Sequence, residues 1–162
     1  MQFNTDTLYL ENPPPVEHVG FDEFKNQYQA FSKKANVLFL LSDYCRILRK
    51  NNIIPMYLIL GGNYLKNEDS PNSILKIIAC FRSDTKVDSK AVTNHLSNIG
   101  ETAKRYRGVM EPIGRITLNN NQPDDLRNLN YFDNIQALQK DHTMENRLSK
   151  VGLIRLSFNE VV

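Results

Sequence analysis

The chain has 162 residues, 41% hydrophobic and 23% charged, a balance that builds one domain around one core and excludes a wholly disordered chain. Its 20 basic and 18 acidic residues leave a formal net charge of +2, which gives no reason to expect nucleic acid or another polyanion as partner. No apolar run approaches bilayer length, and Met1-Gln2-Phe3-Asn4 has neither the basic start nor the apolar core of a signal sequence, so the expectation is a cytoplasmic protein without a membrane segment.

In chain order, residues 1 to 19 read as an extended arm, because Pro13-Pro14-Pro15 lock φ and remove three donors. Tyr9 and Leu10 are its candidate anchors on a single domain spanning 20 to 162. Phe21, Phe24, Tyr28 and Phe31 recur at helical spacing and predict a first amphipathic helix. A second helix is predicted over 34 to 50, with Val37, Leu38, Leu41, Tyr44, Cys45 and Leu48 facing inward. Arg46, Arg49 and Lys50 in its last turns suit a solvated helix end.

Asn51-Asn52 breaks the helix, and the apolar run from Ile53 to Leu60 predicts a strand covered on both faces, with Pro55 near its start. Gly61-Gly62 permits a tight exit and close backbone approach. A second strand is predicted from Ile74 to Phe81. The two runs flank a turn rich in Asn, Asp, Ser and Pro, so they should pair in one sheet. Residues 88 to 106 predict a third helix, with Val92, Leu96, Ile99 and Ala103 as its apolar line and Asp88 or Ser89 as cap. A strand over 109 to 118, a loop at 119 to 123, a short helix marked by Tyr131, Phe132, Ile135 and Leu138, and a strand over 152 to 158 complete the chain. Cys45 and Cys80 sit in apolar segments and read as buried free thiols. The expected fold class is α/β (α+β): a mixed sheet with helices packed on it.

The stretch Leu60-Gly61-Gly62-Asn63, followed after about a dozen residues by a second strand, resembles the core signature of the nucleotidyltransferase superfamily, the fold shared with DNA polymerase beta and the minimal nucleotidyltransferases. The chain also resembles a functionally unassigned bacterial branch of that superfamily, through Pro13-Pro14-Pro15-Val16-Glu17-His18, Phe21-Asp22-Glu23-Phe24, Pro71-Asn72 and Lys150-Val151-Gly152-Leu153-Ile154-Arg155-Leu156. The resemblance thus extends over residues 12 to 156. It implies a nucleotidyltransferase-like core, with two metal-holding carboxylates at alternate positions of the second strand. Counted from Gly62, those positions fall on Ser73 and Leu75, while Asn63 stands where the family has Ser and Glu111 aligns loosely with a further carboxylate.

Hard cations need charged oxygen ligands, and neither Ser73 nor Leu75 supplies one. The expectation is therefore a catalytically silent protein with no metal and no cofactor, acting by binding a protein partner, another copy of itself, or a nucleotide held weakly. Gly61, Gly62, Asn63, Lys66, Ser73, Leu75, Lys76 and Glu111 make up the degenerate motif and candidate ligand surface. The resemblance also implies a mobile-element, toxin–antitoxin or defence context. Two alternatives stand beside it. One is an active Mg²⁺-dependent nucleotidyltransferase using displaced carboxylates such as Glu68, Asp69 and Glu111. The other is a weak nucleic-acid binder using Lys33, Lys34, Lys104, Arg105 and Arg107.

Overall fold

The computed structural model describes residues 1–11, 16–118 and 152–161. The predicted loop at 119 to 123 and the predicted helix around Tyr131 to Leu138 lie outside the described residues. The elements in order are β1 (Val16–His18), α1 (Phe21–Gln29), α2 (Ala35–Lys50), β2 (Tyr57–Gly61), β3 (Leu75–Arg82), α3 (Ser89–His95), α4 (Glu101–Arg105), β4 (Met110–Leu118) and β5 (Leu153–Ser157). Short 3₁₀ turns follow β2, at Asn63–Leu65, and β5, at Phe158–Glu160.

The strands form one mixed sheet in the order β1-β5-β2-β3-β4. β2 runs antiparallel to both β3 and β5, whereas β1 pairs with β5, and β4 with β3, in parallel. The two strands expected to flank the glycine pair are therefore hydrogen-bonded neighbours, with Gly61 at the end of β2 opposite Lys76. β2 starts at Tyr57 rather than Ile53. The Ile53 amide is still bonded to the Leu48 carbonyl at the end of α2, and Pro55, with no donor of its own, lies in the approach to the strand.

Strand alternation separates two apolar clusters. The larger joins Leu58, Leu60, Ile77 and Leu156 to Phe24, Tyr28, Leu41 and Leu48 of the helices. The smaller, on the other face, joins Ile59, Ile78, Cys80, Ile116 and Leu153 and consists, among the described residues, of strand residues. Both cysteines are free and buried, and burial pushes their thiols up to about 12. No helix among the described residues is long and apolar enough to cross a membrane.

Three expectations need correction. The helix predicted over 88 to 106 is two short helices, α3 and α4. Its apolar line continues across the break, but Ile99 is 77% exposed. The break sits at Gly100, where a Cβ would collide with the Thr93 carbonyl, so the chain turns where only glycine fits. Arg49 is not a solvated helix end. Its guanidinium donates to the carbonyls of Phe158 and Val161, both at 2.8 Å, and lies over the Phe158 ring. The third concerns Lys34, which is fully buried rather than displayed.

Within residues 1–11, the chain packs closely against the domain. Tyr9 and Leu10 are each 3% exposed, the Leu10 carbonyl accepts from Gly152 N at 3.1 Å, and Asn67 N donates to the Leu8 carbonyl at 2.7 Å.

Candidate functional site: the glycine turn and the sheet row beside it

Gly62 has φ +87° and ψ 173°, a region essentially reserved for glycine. A Cβ there would collide with the Ile74 carbonyl oxygen and press on the backbone of Lys76. The close approach that the glycine permits is thus filled from within, by the entry into β3. Gly62→Ala combines a forbidden backbone conformation with a steric clash against main chain, so it is expected to lower the unfolding free energy by about 2–3 kcal/mol. Urea denaturation checks this, and an unchanged midpoint would mean that the turn is looser than described.

Asn63 is used in the same way. Its Oδ1 accepts from Ile74 N at 2.7 Å and its Nδ2 donates to the Asn72 carbonyl at 3.1 Å. One side chain thereby satisfies a donor and an acceptor of the returning chain and fixes where β3 begins. Ser73, 6% exposed, donates through Oγ to the Ser70 carbonyl at 3.0 Å. Leu75 is fully buried in the helix-side cluster. Lys66 lies 3.8 Å from Glu68 and places its ammonium 4.9 Å from the Tyr9 ring centroid.

Lys76 and Glu111 occupy the other face. Lys76 follows Leu75 and precedes Ile77, both in the helix-side cluster, so its side chain points away from the helices. Register places Gly61 beside Lys76, and Lys76 beside Glu111, across three strands. Of the eight candidate residues, these three form one row. Gly62, Asn63 and Ser73 hold the turn together, Leu75 belongs to the core, and Lys66 belongs to the contact with the N-terminal segment.

Of the displaced carboxylates, strand register places Glu111 in that row, while Glu68 lies 3.8 Å from Lys66 in the turn. Asp69 accepts from Ser32 Oγ and from Lys33 N, both at 3.0 Å, and so caps the connection between α1 and α2. Among the described residues, no group of three or more His, Cys, Asp or Glu side chains is placed to hold a metal ion.

Sequence reasoning missed the role of Lys34. Its Nζ donates to the carbonyls of Tyr64 at 2.7 Å and Lys66 at 2.6 Å. The rings of Tyr28, Phe31 and Tyr64 surround it with centroids at 5.4, 5.2 and 5.3 Å, a cation–π enclosure. Tyr64 Oη donates back to the Lys34 carbonyl at 3.1 Å, and Tyr28 Oη donates to the Leu65 carbonyl at 2.7 Å. Burial pulls the Lys34 ammonium down to about 8, against the pull of Glu68 and Asp69. Burial likewise pushes the Tyr28 and Tyr64 phenols well above their ordinary range. The available signal was local: Tyr28 and Phe31 precede Lys34 by six and three positions, close enough for their rings to cover a lysine that turns inward.

Two of the other basic candidates, Arg105 and Lys104, are also engaged, whereas Lys33 and Arg107 are exposed. Arg105 lies 3.1 Å from Asp43, Arg46 pairs with the same carboxylate, and Lys104 lies 3.2 Å from Glu101. The Tyr106 hydroxyl donates to Asp43 at 2.7 Å. That bond, with the two arginines, holds the Asp43 carboxyl below its ordinary range despite partial burial.

Compared with known proteins, the chain matches no protein-family description, no curated protein and no solved structure.

Proposed function

We propose that the chain is a non-catalytic protein of nucleotidyltransferase-like build that acts by binding, to a protein partner or to a nucleotide, rather than by nucleotidyl transfer. The observation that carries this reading is the use made of the two positions the resemblance assigns to metal ligands. Ser73 is bonded to its own turn, and Leu75 is part of the core.

Strand geometry sharpens the comparison. The helix-side face is filled by the apolar core, so a metal site would lie on the opposite face, which alternation gives to Lys76, while Ile74, just before β3, lies outside the helix-side cluster. A one-residue shift of the family alignment therefore still finds no acid. It finds an ammonium group next to Glu111 instead. A single carboxylate beside a lysine offers a divalent cation no net negative site. The same lysine attracts phosphate oxygens without a metal, so weak, Mg²⁺-independent nucleotide binding fits the row.

The test is calorimetry with ATP and GTP, with and without Mg²⁺. Binding should be weak or absent and should not change with the metal. Strengthening of tenfold or more on adding Mg²⁺, about 1.4 kcal/mol of coupling, would favour the enzyme alternative and sink this reading. The informative gain-of-function variant is Ile74→Asp with Lys76→Asp, because both positions lie outside the helix-side cluster. Metal-dependent nucleotide binding is expected to appear in that double variant alone.

A further inference from the structure

We propose that Lys34 is a proton-linked latch: when its ammonium loses the proton the turn of residues 62–69 closes tightly on the connection between α1 and α2, and when it regains the proton the turn opens more readily. The geometry is that of a latch because a single side-chain nitrogen joins two chain segments thirty residues apart. Lys34 belongs to the α1–α2 connection, and both of its acceptors are main-chain carbonyls of the turn. The surrounding bonds run between the same two segments. They are Ser32 and Lys33 to Asp69, Tyr28 to Leu65, and Gln27 to Asn67 at 2.8 Å. Asn67 in turn holds the Leu8 carbonyl, so opening the turn also releases the N-terminal segment.

The sign follows from hydration. In place, the ammonium is fully buried, and its two acceptors and three ring faces substitute only in part for water. Once the turn opens, water solvates it and the ordinary lysine value returns. Its proton is therefore held less tightly in the closed form, at about 8 against 10.5. Below about pH 8 both forms are protonated and opening is easiest. Between about pH 8 and 10.5 opening requires uptake of a proton and becomes harder as pH rises. The groups facing Lys34 are Tyr28 from α1, and Tyr64, Lys66, Glu68 and Asp69 from the turn. Glu68 and Asp69 favour the protonated form of Lys34 and Lys66 opposes it, and burial outweighs the two carboxylates. The two tyrosines begin to ionise in the open form only near pH 10, where they oppose the effect, so the clean window is pH 8 to 9.5.

Pulse-labelling hydrogen exchange of the Leu65, Lys66 and Asn67 amides between pH 7 and 9.5 tests the latch. After correction for intrinsic exchange, protection should be flat below pH 8 and rise about tenfold per pH unit above it. In Lys34→Met, which fills the same space without titrating, the rise should vanish. A flat profile in the unmodified chain, or the same rise in both proteins, overturns the proposal. If Lys34→Met does not fold, the side-chain ¹⁵Nζ resonance of the unmodified chain decides. A midpoint near 8 for Lys34 alone supports the latch, and titration together with the exposed lysines near 10.5 refutes it.

Discussion

Leu75→Asp is expected to unfold the protein. The side chain is completely buried on the helix-covered face, where its neighbour across the ladder is Met110 and the cluster around it is apolar. An ionised carboxylate there has no partner. It either bears the cost of burial or takes up a proton, and both outcomes are costly. The lost leucine packing adds about 2–5 kcal/mol. The sum is comparable to the whole stability of a domain this size, about 5–15 kcal/mol. Circular dichroism at neutral pH should report a largely unfolded chain, with partial recovery near pH 4 as the carboxyl protonates. A folded variant with an ordinary melting temperature would mean that Leu75 faces away from the helices, and would restore the metal site as a candidate.

Lys34→Ala is expected to cost about 3–5 kcal/mol, although surface lysines are among the most forgiving positions in proteins. Truncation removes both hydrogen bonds to the carbonyls of Tyr64 and Lys66 and leaves a cavity among three aromatic rings. The buried Tyr64 carbonyl then loses its donor, at a cost of about 1–3 kcal/mol, while the Lys66 carbonyl keeps its bond from Glu68 N at 2.9 Å. Chemical denaturation of Lys34→Ala beside Lys33→Ala, whose side chain is exposed, isolates the effect. Equal midpoints for the two variants would show that water reaches the carbonyls and that the enclosure is loose.

Much of the sheet was legible because local chemistry determines it. Two strand-length apolar runs separated by Gly, Asn, Asp, Ser and Pro have few ways to fold other than as adjacent antiparallel strands, and β2 and β3 pair as expected. The inward positions Phe24, Leu41, Leu58, Ile77 and Leu96 are all fully buried. What was not legible depends on contacts distant in sequence or on a single step of register. The apolar period runs smoothly through Ile99, but the backbone approach at Gly100 overrides it. Counting from Gly62 assigned Ser73 and Leu75 to the site, but a shift of one residue exchanges the faces of a strand. Only the burial of Leu75 and Ile77 in the helix-side cluster shows that Lys76, next to Glu111, lies on the opposite face. Lysines are almost never fully buried, and although Tyr28 and Phe31 stand close by in sequence, the two carbonyls that hold Lys34 lie about thirty residues away.

The position of β5 has a consequence for how the molecule assembles. It lies inside the sheet, between β1 and β2, and Val16 pairs with Leu153 while Tyr57 pairs with Ser157. Those partners are separated by most of the chain, so the loop-closure entropy must be met before either ladder forms. During synthesis the helices and the β2–β3 hairpin can gather early, but β2 then keeps one edge unpaired until β5 emerges. That edge is apolar on both faces, a ready template for pairing with another chain. Slow or interrupted translation beyond β4 should therefore favour aggregation of this protein more than it would for a fold whose final strand joins at the rim.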